Sequence, residues 1–593
     1  MIIFQTNDWQ YDLTDRGISF NETSDYFSDQ ISKTVSFPFN VFLHEELAEK
    51  LGLVNIDNVV SYKSKIYGFL IIDRNFYDAY IVINEVSGNK AELTLFYGKE
   101  TLKVFDKKLS DLPFPVVNAV DGLPAFAKNQ ITKAWPEATH NFVKVFRPEL
   151  KQSANYEYFD KFLNNYVNNA GTWNFPVNTI DVIDGQNVSV NRNVMVPMPY
   201  LMEILRVGFA TEGLQLKGDF VNDAVNQKIV VLPKKYFEQL SVTQFENYSF
   251  STRNFQTTID GKTINVYQHV HTPTNEGSFT LKVKLNFSDV QAKYFKLTVK
   301  QAGVTLYEAF SQNNTVIIDK TVDINIVNTN VFSNIEVELH LTAIDGSIAN
   351  YNSFVYEYKE GKLNVFPNVY TLANFMPDMV FRELINRIKS WQNLKFDYTT
   401  NAVYINYLEN LPETLIYHDK KHLQIESPTR LLNQHNLFKI TYPNKETVLV
   451  NKNGQTYSDA EFIDAEIEIM EMKVLPLAVN SNEDCVTAVY PEDEEDLMFV
   501  LYNGTVAGEP LAASHINNRK IDLQTIFIEK WRKWLKFRAN AEVYKDSFFL
   551  HVTEDLNITE GIFKENKNHL ITSTRKKRVN EEYWKVDMET ETF

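Results

Sequence analysis

MPDMVFRELINRIKSWQNLKFDYTTNAVYINY, residues 376–407, carries the clearest local grammar in the chain. Pro377 and Asp378 mark a helix start, because proline is tolerated where the first N–H has no intrahelical partner. Val380, Leu384, Ile385, Ile388 and Trp391 then fall at i, i+4, i+5, i+8 and i+11, one apolar stripe at the helical period. Leu394, Phe396 and Tyr398 alternate, Thr399-Thr400-Asn401 turns the chain, and Val403 and Ile405 alternate again. The pattern predicts one helix packed on a hairpin.

The same order recurs over 197–232. Pro199 opens it, Leu201, Ile204, Leu205 and Gly208 make the stripe, and Gly213 is a helix stop. Leu214 and Leu216 alternate, GDF at 218–220 begins a turn, and Ile229 to Leu232 supply a second strand. Two such units, roughly 180 residues apart, predict a duplicated scaffold with material inserted between the copies. Neither stripe carries a polar cluster, so both are read as structural modules.

Around this scaffold the chain reads as mainly β with minor α, in several domains. Its 593 residues suit roughly four domains by length. An apolar fraction of 44% and an aromatic fraction of 13% mark a folded chain, and 42 Phe with 30 Tyr favour strands. Segment 1–120 reads as barrel-like. Its alternating rows Ile66-Gly68-Leu70, Ala79-Ile81-Ile83 and Ala91-Leu93-Leu95 predict a meander, with SGNK at 87–90 as a hairpin turn. Pro38 in KTVSFPFN marks an edge strand or a strand end, and HEELAEKLGL at 44–53 predicts a short helix closed by Gly52. Segment 121–240 is mixed, with an aromatic helix expected over 155–169 before the first unit. Segment 241–362 reads as an inserted β-sandwich, 363–430 holds the second unit, and 431–593 is β-rich. In that last part IEIMEM at 467–472 is read with Ile467, Ile469 and Glu471 on one face, and IFIEKWRKWLKFR at 526–538 as a helix.

Chemistry is sparse. A formal net charge of −17 disfavours nucleic-acid and anionic-membrane binding, since both run on Lys and Arg. One cysteine, Cys485, forbids an internal disulfide, and its acidic surroundings disfavour a nucleophile. No apolar run of about 18 residues predicts a transmembrane helix, and MIIFQTNDWQYDLTD lacks the basic start of a signal peptide. His269 and His271 would share a strand face, but a zinc site needs a third ligand, so they are read as polar residues on an exposed face. IDG at 259–261 and 344–346 and NKNGQ at 451–455 are turns, and PEDEED at 491–496 is a solvated loop. No nucleotide or hydrolase motif is present and no carboxylate pair can be nominated; catalytic, cofactor and metal residues are therefore none. Trp531 and Trp534, at i and i+3 among Arg532, Lys533, Lys536 and Arg538, fit a stacking patch for nucleic acid or a helix whose Trp face is core and whose cations snorkel; the second is preferred. RKKR at 575–578 fits an intersubunit salt bridge as well as phosphate contact.

Several stretches together resemble the baseplate or tail hub proteins of tailed phages of Bacteroidetes-type bacteria, similar in fold to the trimeric hub of contractile tails. KTVSFPFN at 33–40 and KIYGFLIIDRNFYDAYIVINEVSGNKAELTLFYG at 65–98 look like the early barrel strands of that family. PYLMEILRVGFATEGLQLKGDF at 199–220 and MPDMVFRELINRIKSWQNLKFDY at 376–398 resemble its two helix modules. LMFVLYNG at 497–504 and HLITSTRKKRVNEEYWKVDME at 569–589 look like its closing barrel. The resemblance implies a non-enzymatic virion protein, made in the host cytoplasm and forming a homotrimer around the tail axis. Its partners would be tube, spike, wedge or fibre proteins, without stable nucleic-acid binding or membrane insertion. Trp391, Phe396, Trp531 and Trp534 are then assigned to assembly. The sandwich departs from a minimal hub; it leaves open a receptor- or carbohydrate-binding role, and beyond that a polysaccharide-degrading tail enzyme.

Overall fold

The computed structural model describes residues 1–27, 34–52, 54, 65–98, 102–146, 167–169, 172–174, 179–183, 186–190, 193–194, 196–233, 238–242, 253–271, 276–329, 334–342, 354–365, 369–431, 437–451, 456–457, 467–477, 479, 497–506, 508–554 and 556–592. Most of the helix expected over 155–169, Cys485, PEDEED at 491–496, IDG at 344–346 and NKNGQ beyond Asn451 lie outside these residues. The end of that expected helix, Val167–Asn169, is instead a strand paired with Thr172–Asn174. Strand outweighs helix, 48% to 21%, so the class is mainly β with minor α.

The largest sheet has fourteen strands. The meander is there as read. Lys65–Ile72, Asn75–Ser87 and Lys90–Tyr97 pair antiparallel in sequence order, and the hairpin closes at Ser87↔Lys90. The alternation works as the pleat demands: Leu70, Ala79, Ile81, Ala91, Leu93 and Leu95 are all buried. Phe37 and Pro38 split the KTVSFPFN run into Thr34–Ser36 and Phe39–Phe42. What the sequence does not announce is the seam. Ser19–Thr23 pairs with Lys567–Arg578, so strands from the segments read as 1–120 and 431–593 lie in one sheet. Two inward cations of the RKKR run fasten it: Lys576 pairs with Glu22 at 3.2 Å and Arg578 with Asp73 at 2.6 Å. These two salt bridges are within the chain, while Arg575 and Lys577 point to the exposed side. The barrel-like domains are corrected too: none of the sheets among the described residues closes into a barrel.

The second unit folds as its pattern predicts. Phe381–Gln392 is a helix, ended by Asn393 in the left-handed region, and Leu394–Tyr398 and Ala402–Tyr407 form the hairpin. The helix begins a few residues after Pro377, with Val380 as its N-cap. The first unit departs from its reading. Helix Leu201–Ala210 is there, but Gln215–Lys217 and Ile229–Val231 do not pair with each other. The first of these strands runs parallel to Ala402–Tyr407 of the second unit, and the second pairs with Met498–Leu501. Between them GDF opens a helical turn, Asp219–Asn222, instead of a hairpin.

The described strands of the insert form one seven-stranded sheet. Its spine is a long hairpin, Glu276–Gln301 with Val304–Thr329, turning at Ala302 and Gly303, both at positive φ. The incoming strand Glu238–Val242 pairs with the outgoing strand Phe354–Val365. His269 and His271 occupy one row of Lys262–His271, but His271 is buried and His269 half-buried, which corrects the exposed-face reading. In the IEIMEM strand the core-facing residues are Met470 and Met472, while Ile469 is 61% exposed, the reverse of the expected face.

Candidate functional site: a packed joint and an exposed sheet face

The two units pack directly on one another. Their helices contribute Ile204, Leu205, Leu384, Ile385 and Ile388 to one core, each fully buried. Gly208 lets the helices close up: a side chain there would stand 2.3 Å from the ring of Phe381. Gly218, at φ +108°, does the same for the strand crossing, where a side chain would meet the Ile405 carbonyl at 2.3 Å.

The four rings assigned to assembly all lie in this core. Trp391 is fully buried, donates its indole N–H to the Tyr442 hydroxyl at 2.7 Å and packs on Phe499. Trp531 donates to the Trp391 carbonyl at 3.2 Å, Trp534 packs against Phe27, and Phe396 is 1% exposed. Enclosed by their own chain, these rings are core, and the assembly assignment made on them is corrected. The helix carrying the two tryptophans runs Leu523–Ile526, a π turn at Phe527–Trp531, then Arg532–Asn540. Its cations divide. Lys530 and Arg538 are drawn inward, while Arg532 and Lys533 stay exposed.

A charged clamp holds the joint. Arg519 donates to both oxygens of Asp223, at 2.8 and 2.9 Å, and to both oxygens of Glu529. Tyr407 donates to Asp223 at 2.9 Å, and the Lys530 ammonium lies 3.6 Å from the same carboxylate. Burial works to raise the Asp223 carboxyl, but the Arg519 guanidinium and the remaining donors outweigh it and hold the group below its ordinary range. Burial likewise lowers the Lys530 ammonium, while Glu529 and Asp223 together raise Arg519. Both acids are thus committed to a bidentate guanidinium, the strong form of such pairing. The sequence gives no local sign of this group, because its members come from the first unit, the second unit, the turn at Ile516–Arg519 and the C-terminal helix.

The other feature is the outer face of the fourteen-stranded sheet. One register row runs Tyr67, Tyr80, Phe96, Val35, Asn21, Arg575, Asp587, Ser547 across eight strands. Tyr80 and Phe96 stack at 4.9 Å. Beside this row, on the same face, stand Phe69 (44% exposed) and Phe76 (71%), with Phe549 at the C-terminal end. A cleft of about 1150 Å³ opens next to it, lined in part by Trp9, Lys65, Tyr67, Phe69 and Lys103. Exposed rings grouped this way mark an interaction surface more than a solvated one. Period-two alternation carried the signal; both faces of these strands hold rings, which the inward rows alone obscured.

Among the described residues no group of three or more His, Cys, Asp or Glu is placed to hold a metal, and no helix is long and apolar enough to cross a membrane. No protein-family model and no curated protein matches the chain. Among solved structures it is similar to a carbohydrate-binding module, CBM36, in complex with calcium and xylotriose: 11% identity over 20% of this chain and 100% of that one, TM-score 0.11. It is also similar to the 43 kDa tail protein of prophage MuSo2 from Shewanella oneidensis: 10% identity over 58% of this chain and 91% of that one, TM-score 0.18. A CBM36-1 domain of a multidomain xylanase from the hindgut metagenome of Trinervitermes trinervoides gives 11% identity over 23% and 98%, TM-score 0.10. Likeness at these TM-scores carries no argument about function.

Proposed function

We propose that this chain is a structural virion protein of a phage-type tail, a hub or baseplate subunit. In this reading three copies ring the tail axis and join the tube to a spike or fibres, with no catalytic step. The observation that carries it is the ringed outer face of the shared sheet, where Tyr67, Phe69 and Phe76 stand exposed on a face continuous over eight strands. Aromatic rings at the centre of a large contact, each copy's face meeting a different patch of the next, are what a closed three-fold ring needs. The solid joint supports it, because a body that transmits shape gains from having no hinge between its modules. So does the charge of −17, which repels DNA from a passage it must cross without being held. The test is the mass of the full chain in solution, by light scattering over a concentration series. The expected result is a trimer that Phe69→Asp with Phe76→Asp dissociates. A chain that stays monomeric at tens of micromolar, alone and with its tail partners, overturns the reading.

A second reading, binding of host glycan through the insert, is favoured by one observation. Phe255 and Phe310, each about half exposed, end a single register row that runs through buried Val266, then His340 and Lys296. Rings flanking polar groups suit a sugar chain laid across strands. Binding of host surface glycans by the full chain, lost in Phe255→Ala with Phe310→Ala, would establish it; no binding above background would dismiss it.

A further inference from the structure

Strand Val543–His551 turns Tyr544, Asp546, Phe548 and Leu550 toward the core, an acid in an otherwise apolar row. Strand Gly561–Lys564 turns Ile562 and Lys564 the same way. These strands are not neighbours: Tyr583–Thr592 and Lys567–Arg578 lie between them in the sheet. Even so, the sheet curls until Lys564 Nζ and Asp546 Oδ2 are in contact, with both side chains wholly shut off from solvent. The rings of Tyr544 and Phe548 stand 5.8 and 5.9 Å from the ammonium, and Gln424 donates to Asp546 Oδ1 at 3.1 Å. Among the described residues neither Nζ nor Oδ2 has a further hydrogen-bond partner.

As an ion pair this arrangement is poor. An ammonium has three protons to place and a buried pair offsets its desolvation only when such positions are filled. As an amide it is well matched: one N–H replaces the ammonium, both charges vanish, and the remaining oxygen keeps its bond from Gln424. We propose that Lys564 and Asp546 condense into an intramolecular isopeptide bond that ties together two strands which share no backbone pairing.

The balance closes without a co-reactant. Nζ forms a bond to the Asp546 Cγ, the Cγ–Oδ2 bond breaks, and the two protons shed by the ammonium leave with Oδ2 as one water. Holding nucleophile and carbonyl together replaces an encounter in solution, and in a pocket shut off from solvent a proton passed from Nζ to Oδ2 gives the neutral amine and neutral acid that can condense. The Gln424 amide polarises the carbonyl that is attacked. Burial also lowers the Lys564 ammonium to about 8, which makes free amine accessible near neutral pH.

Intact mass spectrometry of the full chain under denaturing conditions decides the matter, since it reads covalent structure whatever the fold does. The expected mass is lower than that of the sequence by one water, and digestion should give a branched peptide joining the segments of Asp546 and Lys564. Lys564→Ala and Asp546→Ala should each show the full mass of their sequence. Asp546→Asn should lose ammonia in place of water and finish at the mass of the cross-linked natural chain. A natural chain at full sequence mass, or a water loss that maps elsewhere, overturns the proposal and leaves an ion pair only.

Discussion

Gly208 has the Phe381 ring where its own side chain would be, and Phe381 is fully buried among Phe105 and Phe209. The ring has nowhere to swing. Gly208→Ala should therefore overpack the joint and lower stability by about 1–3 kcal/mol, read as a fall in urea midpoint; a midpoint unchanged within error would mean the helices can separate cheaply. His140 makes a second prediction. It is 2% exposed, its ring faces Tyr370 and Thr139 at 2.7 and 3.0 Å, and burial pushes its pKa down to about 3. The unfolded chain takes up that proton near pH 6.5, the folded chain only near 3, so the unfolded state binds more protons in between. Stability contributed by the neutral ring is present above pH 6.5 and falls away as the pH drops toward 3. The urea midpoint should decline from pH 7 to pH 5, and more shallowly in His140→Asn; equal slopes in both would refute the assignment.

At the scale of elements, legibility followed distance along the chain. Residues 381–407 could be read because Leu384, Ile388 and Trp391 repeat within one helix and the hairpin closes over three residues. The meander was readable for the same reason. The first unit was misread at Gly218. Its left-handed φ signals a turn, but the strand before it pairs with Ala402–Tyr407, and a parallel pair so remote leaves no local mark. The tryptophans show local spacing outdoing likeness: at i and i+3 on one helix face, Trp531 and Trp534 read as core with snorkelling cations and are enclosed, whereas the family resemblance placed them in assembly. The seam was invisible in the same way, and it gives a prediction. A chain ended after Glu560 loses the partner of Ser19–Thr23 and bares the edge beside Phe20. Open edges of this kind recruit other chains, so the truncated protein should elute as aggregate in size exclusion. A soluble, monodisperse product with unaltered circular dichroism would show that the seam is dispensable.

The whole molecule can be tested by subtraction. The strands leading into and out of the insert lie side by side, with Glu238 opposite Val365. Excising the material between them and joining the ends with a short glycine-serine link should leave the joint and the fourteen-stranded sheet intact, since neither takes a strand from the insert. The expected outcome is a folded protein with the oligomeric state of the full chain and any glycan binding lost. Loss of assembly with the fold retained would instead place the subunit contact on the insert. Adding Phe76→Asp to that shortened chain should dissociate it if the aromatic face is the contact, as sedimentation velocity would show.

The pairing of Ser19–Thr23 with Ser573–Lys577 also sets a timetable for biosynthesis. At about 5–20 residues per second, the ribosome delivers the partner strand roughly half a minute to two minutes after the early one has emerged. Throughout that wait the nascent polypeptide holds an unmated β-edge, so this part of the sheet can close only after residues 573–577 have left the ribosome.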